Sequence, residues 1–200
     1  PQLPKAKQLV EAAQNSIGLT EGLVMAKFEI ATLLSQIKLM QAQLAELTVQ
    51  LIDLSKQMTD YEYLASVPGI GNITIVDLLS EVGSLTQYEH PRQLIKLAGL
   101  TLRENSSGKQ KGQKRISKRG RRKLRALLFR VMMPLIRHNQ AFKQLHQYYT
   151  TRTVNPLRKK QSIVVLCGKL LKVLHALCKK KKVFNEQQMM RDFVSLQAAA

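Results

Sequence analysis

The chain contains no tryptophan, and aromatic residues make up only 5% of its 200 residues. Any core must therefore rest on Leu, Ile, Val and Met, and a hydrophobic content of 44% is enough to build one. Cysteine is almost absent too: Cys167 and Cys178 are the only two. On one helix they would share a face yet stand about 16 Å apart, which is too far for a disulfide within that helix. No metal-ligand spacing surrounds them, so buried free thiols in a reducing cytosol are expected. No run of 18 uncharged apolar residues occurs, and no transmembrane span is expected. A signal-peptide pattern is lacking. Pro1 stands where a start Met would, which points to processing or to a piece of a longer protein. Ala198, Ala199 and Ala200 read as native sequence or as the scar of a tag.

The scarcest feature is negative charge. There are 13 acidic residues against 32 Lys and Arg, which leaves a net charge of +19 and an isoelectric point near 10.2. Such an excess attracts polyanions over a Debye length and speeds their encounter. Nucleic acid is the expected partner. A membrane surface, an acidic protein or a merely solvated basic surface are the competing readings.

From Leu23 to Met58 the pattern is clean. Leu23, Ala26, Ile30, Leu33, Ile37, Met40, Leu44, Leu47, Leu51, Leu54 and Met58 alternate spacings of three and four. That is the a/d seam of a coiled coil. A lone helix of this kind cannot bury its seam. Pairing with a second copy is the preferred reading, and an antiparallel hairpin with residues preceding Pro1 is the alternative. A short helix or a linker tail precedes the seam. The organisation expected is a coiled-coil arm over 1–60, a compact helical domain over 61–185, and a tail over 186–200. The fold class expected is all-α.

Beyond the arm, Val67-Pro68-Gly69-Ile70-Gly71 separates two apolar stretches, the layout of a helix–hairpin–helix module. Gly69 and Gly71 would let the backbone turn tightly and approach a phosphate. N–H groups opening the second helix would point at the anion. Ile70 would pack back between the helices. Such a module reads backbone rather than bases; an ordinary Pro-Gly helix connection is the bland alternative. A further helix should open at Pro91, Asn139 should cap one running to about Thr150, and Asn155-Pro156 should open another ending at Cys178.

Residues 101–118 (TLRENSSGKQKGQKRISK) read as a loop or a weak hairpin. Ten cations fall within the 17 residues from Lys109 to Arg125, and phosphate neutralisation is their natural use. Arg103, Lys114, Arg115, Lys118 and Arg119 are the candidate phosphate contacts. A serine in this field could attack phosphorus, because neighbouring cations would lower its pKa and stabilise the phosphorane. On its own, Ser-Ser-Gly in a polar loop is more often a flexible turn. His90, His138, His146 and His175 are scattered and read as structural or surface residues. Asp53, Asp60, Asp77 and Glu81 show no metal spacing, and there is no Walker loop, dinucleotide fingerprint or zinc pattern.

The order of these motifs is familiar. SVPGIGNITIVDLLSEVG followed by PRQLIKLAGLTLRENSSGKQKGQKRISKRGRRKLRALL resembles the C-terminal part of transposases of the insertion sequence one-ten family, over about residues 20–185. These pair an N-terminal RuvC-like nuclease domain with a coiled coil and a C-terminal transposase domain. The resemblance implies DNA transposition, with the serine before the Gly of the Ser-Gly step as nucleophile. That residue is Ser107, and Ser106 competes with it. Implied partners are DNA, a structured guide RNA encoded by the element, and a second copy of the chain; no membrane is implied, and the setting is a prokaryotic cytoplasm at the nucleoid. No cofactor is expected in this chain. A divalent metal, Mg, would sit in the RuvC-like part. Leu102 departs from the family, where proline is common. A non-catalytic helix–hairpin–helix module of a repair or junction-binding protein is the competing function, and a coiled-coil assembly module is a third.

Overall fold

The computed structural model describes residues 3–16, 18, 21–103, 106–107, 110–111 and 115–190. The fold is all-α, with four two-residue strands in two antiparallel pairs among the described residues. The chain divides into two compact units, 1–47 and 48–200.

The first unit holds helix α1 (Leu3–Gln14) and most of helix α2 (Leu23–Lys56). α2 has no Gly or Pro within its 34 residues, and Gly22, with φ +75°, precedes it. Its seam residues Ile30, Leu33, Ile37, Met40 and Leu47 are all more than half exposed.

The second unit carries the core. It comprises α3 (Tyr61–Ala65), α4 (Asn72–Val82), a 3-10 turn (Leu85–Gln87), α5 (Pro91–Leu97), α6 (Arg122–His138), α7 (Gln140–Thr151) and α8 (Lys159–Lys180). α8 packs against α3, α5, α6, α7 and the 3-10 turn. Its buried stripe is Leu166, Cys167, Leu170, Leu171, Leu174 and Cys178, an i, i+3, i+4 pattern in which each buried Leu contributes about 2 kcal/mol. By length and composition α8 could also span a bilayer. Here its apolar stripe is covered by neighbouring helices, and Lys169 and Lys172 interrupt the other face.

Local chemistry sets the ends of these elements. His90 Nδ1 accepts from Arg92 N–H at 3.0 Å with Pro91 in the first turn, which opens α5. Asn139 Oδ1 accepts from Phe142 N–H at 3.3 Å and opens α7. α8 opens at Lys159, not at Asn155-Pro156. Asn155 is left-handed (φ +53°), Leu157 N–H bonds to Tyr149 O at 2.8 Å, and Arg158 N–H donates to Gln161 Oε1 at 2.9 Å at the start of the helix.

Asp60 is buried at 1% exposure. Its Oδ2 accepts from Leu85 N–H at 2.6 Å and from the Ser84 hydroxyl at 2.8 Å, tying the entry of α3 to the 3-10 turn. Both cysteines are free and buried. Burial pushes the Cys167 thiol up to about 12. Burial, then the neighbouring Asp60 carboxylate, does the same at Cys178.

Candidate nucleic-acid interface

Two structures on the second unit hold the residues singled out from the sequence. The first is the connection between α3 and α4. Gly69 adopts φ +97°, which L side chains rarely adopt. A Cβ there would lie 3.0 Å from Leu135 Cδ2 on α6. Asn139 Nδ2 donates to Pro68 O at 3.2 Å, so the corner between α6 and α7 holds the turn. Ile70 is half-buried and packs on the core. Gly71 is exposed and extended, with open space around it, and stands at the N-cap of α4. The first-turn N–H groups of α4 belong to Asn72, Ile73 and Thr74, of which Asn72 and Ile73 are exposed. Pro68, Gly69 and Gly71 are all exposed, yet the turn meets α6 and α7 at Pro68 and Gly69 and has open space at Gly71.

The second structure is a β-hairpin between α5 and α6. Strand β1 (Leu102–Arg103) pairs antiparallel with β4 (Arg115–Ile116), setting Arg103 opposite Arg115. Further out, β2 (Ser106–Ser107) pairs with β3 (Gln110–Lys111), setting Ser107 opposite Gln110. Ser107 thus sits in the ladder nearest the hairpin's tip. Gly108, Lys109 and Lys114 lie outside the described residues.

The base of this hairpin is held by close backbone contact. Ser117 N–H bonds to Thr101 O at 2.7 Å, Lys118 N–H to Gly99 O at 3.0 Å, and Arg121 N–H to Leu97 O at 2.7 Å. Gly99 (φ +68°) and Gly120 (φ +149°) make this approach sterically possible. A Cβ on Gly120 would meet Leu97 O at 2.3 Å and Gly99 N at 2.6 Å. Arg125 Nη1 donates to Ala98 O (3.1 Å) at the end of α5, before the hairpin, and to Lys118 O (3.3 Å), just after β4. Arg121 donates to Glu81 O on α4, and Arg130 pairs with Asp77 on α4 at 3.4 Å. Arg121 and Arg125, two of the ten clustered cations, therefore bond protein carbonyls. Arg103, Arg115, Lys118 and Arg119 are exposed, and Lys118 is left-handed with φ +53°.

Sequence reasoning singled out the turn and the basic segment but missed what fixes them. Gly99, Gly120 and Arg125 form the hairpin's base; Leu135 and Asn139 hold the turn. The available signal was a pair of glycines bracketing the basic segment. Away from these, His146 Nδ1 lies 2.9 Å from the buried Ser162 Oγ. Burial, then Lys159, holds its pKa below the ordinary value. His175 Nε2 lies 2.8 Å from Tyr88 O. Both histidines are packing residues. Among the described residues, no group of three His, Cys, Asp or Glu side chains is placed to hold a metal.

Comparison with known proteins adds a likeness to one family. Residues 61–147 match the model of the Transposase IS116/IS110/IS902 family. The transposase for insertion sequence element IS1111A of Coxiella burnetii is 28% identical over 131 residues, which cover 66% of this chain and 36% of that protein. The pilin gene-inverting protein of Moraxella bovis is 28% identical over 125 residues, covering 62% of this chain and 38% of that one. A pilin gene-inverting protein of Moraxella lacunata matches over the same shares. The chain spans little more than a third of the length of these relatives. The matched segment runs from α3 into α7 and takes in both the turn and the whole hairpin, so over residues 61–147 the chain is similar to the transposases of the IS116/IS110/IS902 family.

Proposed function

We propose that the chain is the DNA-gripping and strand-exchanging portion of a transposase or site-specific recombinase, with Ser107 as nucleophile. The observation that carries this reading is the hairpin itself. It holds Ser107 near its tip, Arg103 and Arg115 side by side behind it, and a base clamped to α6.

In the proposed reaction the Ser107 hydroxyl gives up its proton and its oxygen bonds to the phosphorus of a DNA phosphodiester. The deoxyribose oxygen departs and takes up a proton. A hydroxyl of a second strand then displaces the serine oxygen, which is reprotonated, and the strands have exchanged. Exposed guanidinium and ammonium groups at Arg103, Arg115, Lys118 and Arg119 favour the charge that builds on the phosphorane. Lys114 belongs to the same proposal by its place in the sequence. The turn at Gly69, Ile70 and Gly71 acts as a helix–hairpin–helix grip that positions the duplex by its backbone, without base readout.

A divalent ion would be held by the RuvC-like region that the family resemblance implies, and no step above runs through one. The exposed seam of α2 is read as the coiled coil of a homodimer. A guide RNA would share the cationic surface with DNA, and the setting is the cytoplasm, at the nucleoid.

Ser107→Ala and Ser106→Ala in the longer protein containing this domain test the reading. Loss of recombination with Ser107→Ala alone, DNA binding being retained, is the expected outcome. Recombination unchanged by Ser107→Ala would overturn it in favour of a non-catalytic DNA-binding module.

A further inference from the structure

A second cationic feature lies away from the hairpin. Between α8 and the segment that follows it runs a groove of about 350 Å³. Val173, Leu177 and Phe184 line it, and Lys169, Lys172, Lys180 and Lys182 surround them; no carboxylate is among its lining residues. Lysines at the C-terminus of a helix have an ordinary explanation, the negative end of its dipole. That covers Lys180. It does not cover Lys169 and Lys172, which are mid-helix. α8 carries six lysines and no acidic residue at all, so its charges repel one another with no partner at i±3 or i±4.

The groove is built, not incidental. Lys181 ends α8 in the left-handed conformation, φ +52°, although it is not glycine. That turn redirects Lys182 and Phe184, and Phe184 N–H donates to Ser66 Oγ at 2.8 Å. Ser66 immediately precedes Val67-Pro68-Gly69-Ile70-Gly71. The lysine groove is therefore moored next to the turn that grips the DNA backbone in the proposed function.

We propose that this groove is a second backbone contact for nucleic acid, continuing the track from the turn along α8. The inference rests on the reading of the turn as a nucleic-acid grip. A polyanion fits the spacing: Lys169 and Lys180 are 11 residues apart, nearly on one face and about 16 Å apart along the axis, while duplex DNA carries a charge every ~1.7 Å. One nucleic-acid strand can reach the whole row. An acidic amphipathic protein segment is the alternative occupant, and the test separates the two.

The experiment uses the 200-residue chain and the quadruple variant Lys169→Gln, Lys172→Gln, Lys180→Gln, Lys182→Gln. Affinity for a duplex of arbitrary sequence is followed by fluorescence anisotropy against salt concentration. Each lost phosphate contact lowers the slope of log affinity against log salt by about 0.9, so a fall of about 3.6 is expected. Should the quadruple variant melt early, the pair Lys172→Gln, Lys180→Gln, at two exposed positions, carries the test with an expected fall of about 1.8. An unchanged slope in a folded variant overturns the proposal while leaving the turn and hairpin untouched. Loss of binding to an acidic amphipathic peptide with an unchanged DNA slope overturns it in favour of a protein site. Failure of the unmodified chain to bind any duplex would instead remove the underlying reading.

Discussion

Replacing Gly120 by alanine should unfold the base of the hairpin. The added Cβ would stand 2.3 Å from Leu97 O, 2.6 Å from Gly99 N and 2.9 Å from Lys96 O. All three are backbone atoms, so no side chain can swing aside. The φ of +149° is itself a conformation that L residues avoid, at about 1–3 kcal/mol. Relief of the contact must move the chain by roughly an ångström, which disturbs the Arg121 N–H bond to Leu97 O and the Lys118 N–H bond to Gly99 O. Each is worth about 1 kcal/mol. A destabilisation of about 3–5 kcal/mol follows. Gly168→Ala is the control: it lies inside α8 with nothing within 4 Å of its Cβ, and should stabilise by roughly 0.5–1 kcal/mol. All five tyrosines, Tyr61, Tyr63, Tyr88, Tyr148 and Tyr149, fall in the second unit. Urea unfolding read by tyrosine fluorescence therefore follows that unit. A Gly120→Ala protein within about 0.5 kcal/mol of the parent would refute the clamp.

The other predictions are simpler to check. Gly71→Val meets open space at an ordinary φ, so the fold should survive. Affinity for unrelated duplexes should fall alike, by about threefold to tenfold, the size of one lost hydrogen bond; loss on one sequence only would contradict backbone recognition. Cys167 and Cys178, buried with thiols pushed up to about 12, should resist a thiol reagent in the native chain and react as the second unit unfolds. The pKa of His146 is held below its ordinary value of 6.5, so the unfolded chain binds that proton more tightly. Its contribution is present above pH 6.5 and lost as pH falls below it. His146→Gln should reduce the loss of stability between neutral and mildly acidic pH, and an unaltered pH profile would contradict the assignment.

What could be read from the sequence was what depends on neighbours along the chain. The α2 seam, Pro91 opening α5, Asn139 capping α7 and the apolar stripe of α8 all follow from residues within four positions of each other. The start of α8 was misread because Asn155-Pro156 carries good capping chemistry, whereas the tertiary bond from Leu157 to Tyr149 decides where the chain can enter the helix. The hairpin base was invisible for a related reason. Gly99 and Gly120 stand 21 positions apart, and nothing local says that their backbones touch. Arg125 counted as one more cation until its two carbonyl partners, Ala98 and Lys118, were seen. The turn's glycines were legible as glycines, but not the asymmetry between Gly69, where a Cβ would meet Leu135, and Gly71, where it would meet open space.

The most direct test of the central claim is to trap the reaction midway. The longer protein containing this domain would be incubated with DNA carrying its recombination site, quenched with denaturant and digested, and the peptide bearing a covalent nucleotide sequenced by mass spectrometry. A nucleotide phosphoester on Ser107, absent from the Ser107→Ala protein, is the predicted result. An adduct on another residue, or recombination proceeding with no protein–DNA adduct at any time point, would contradict the account.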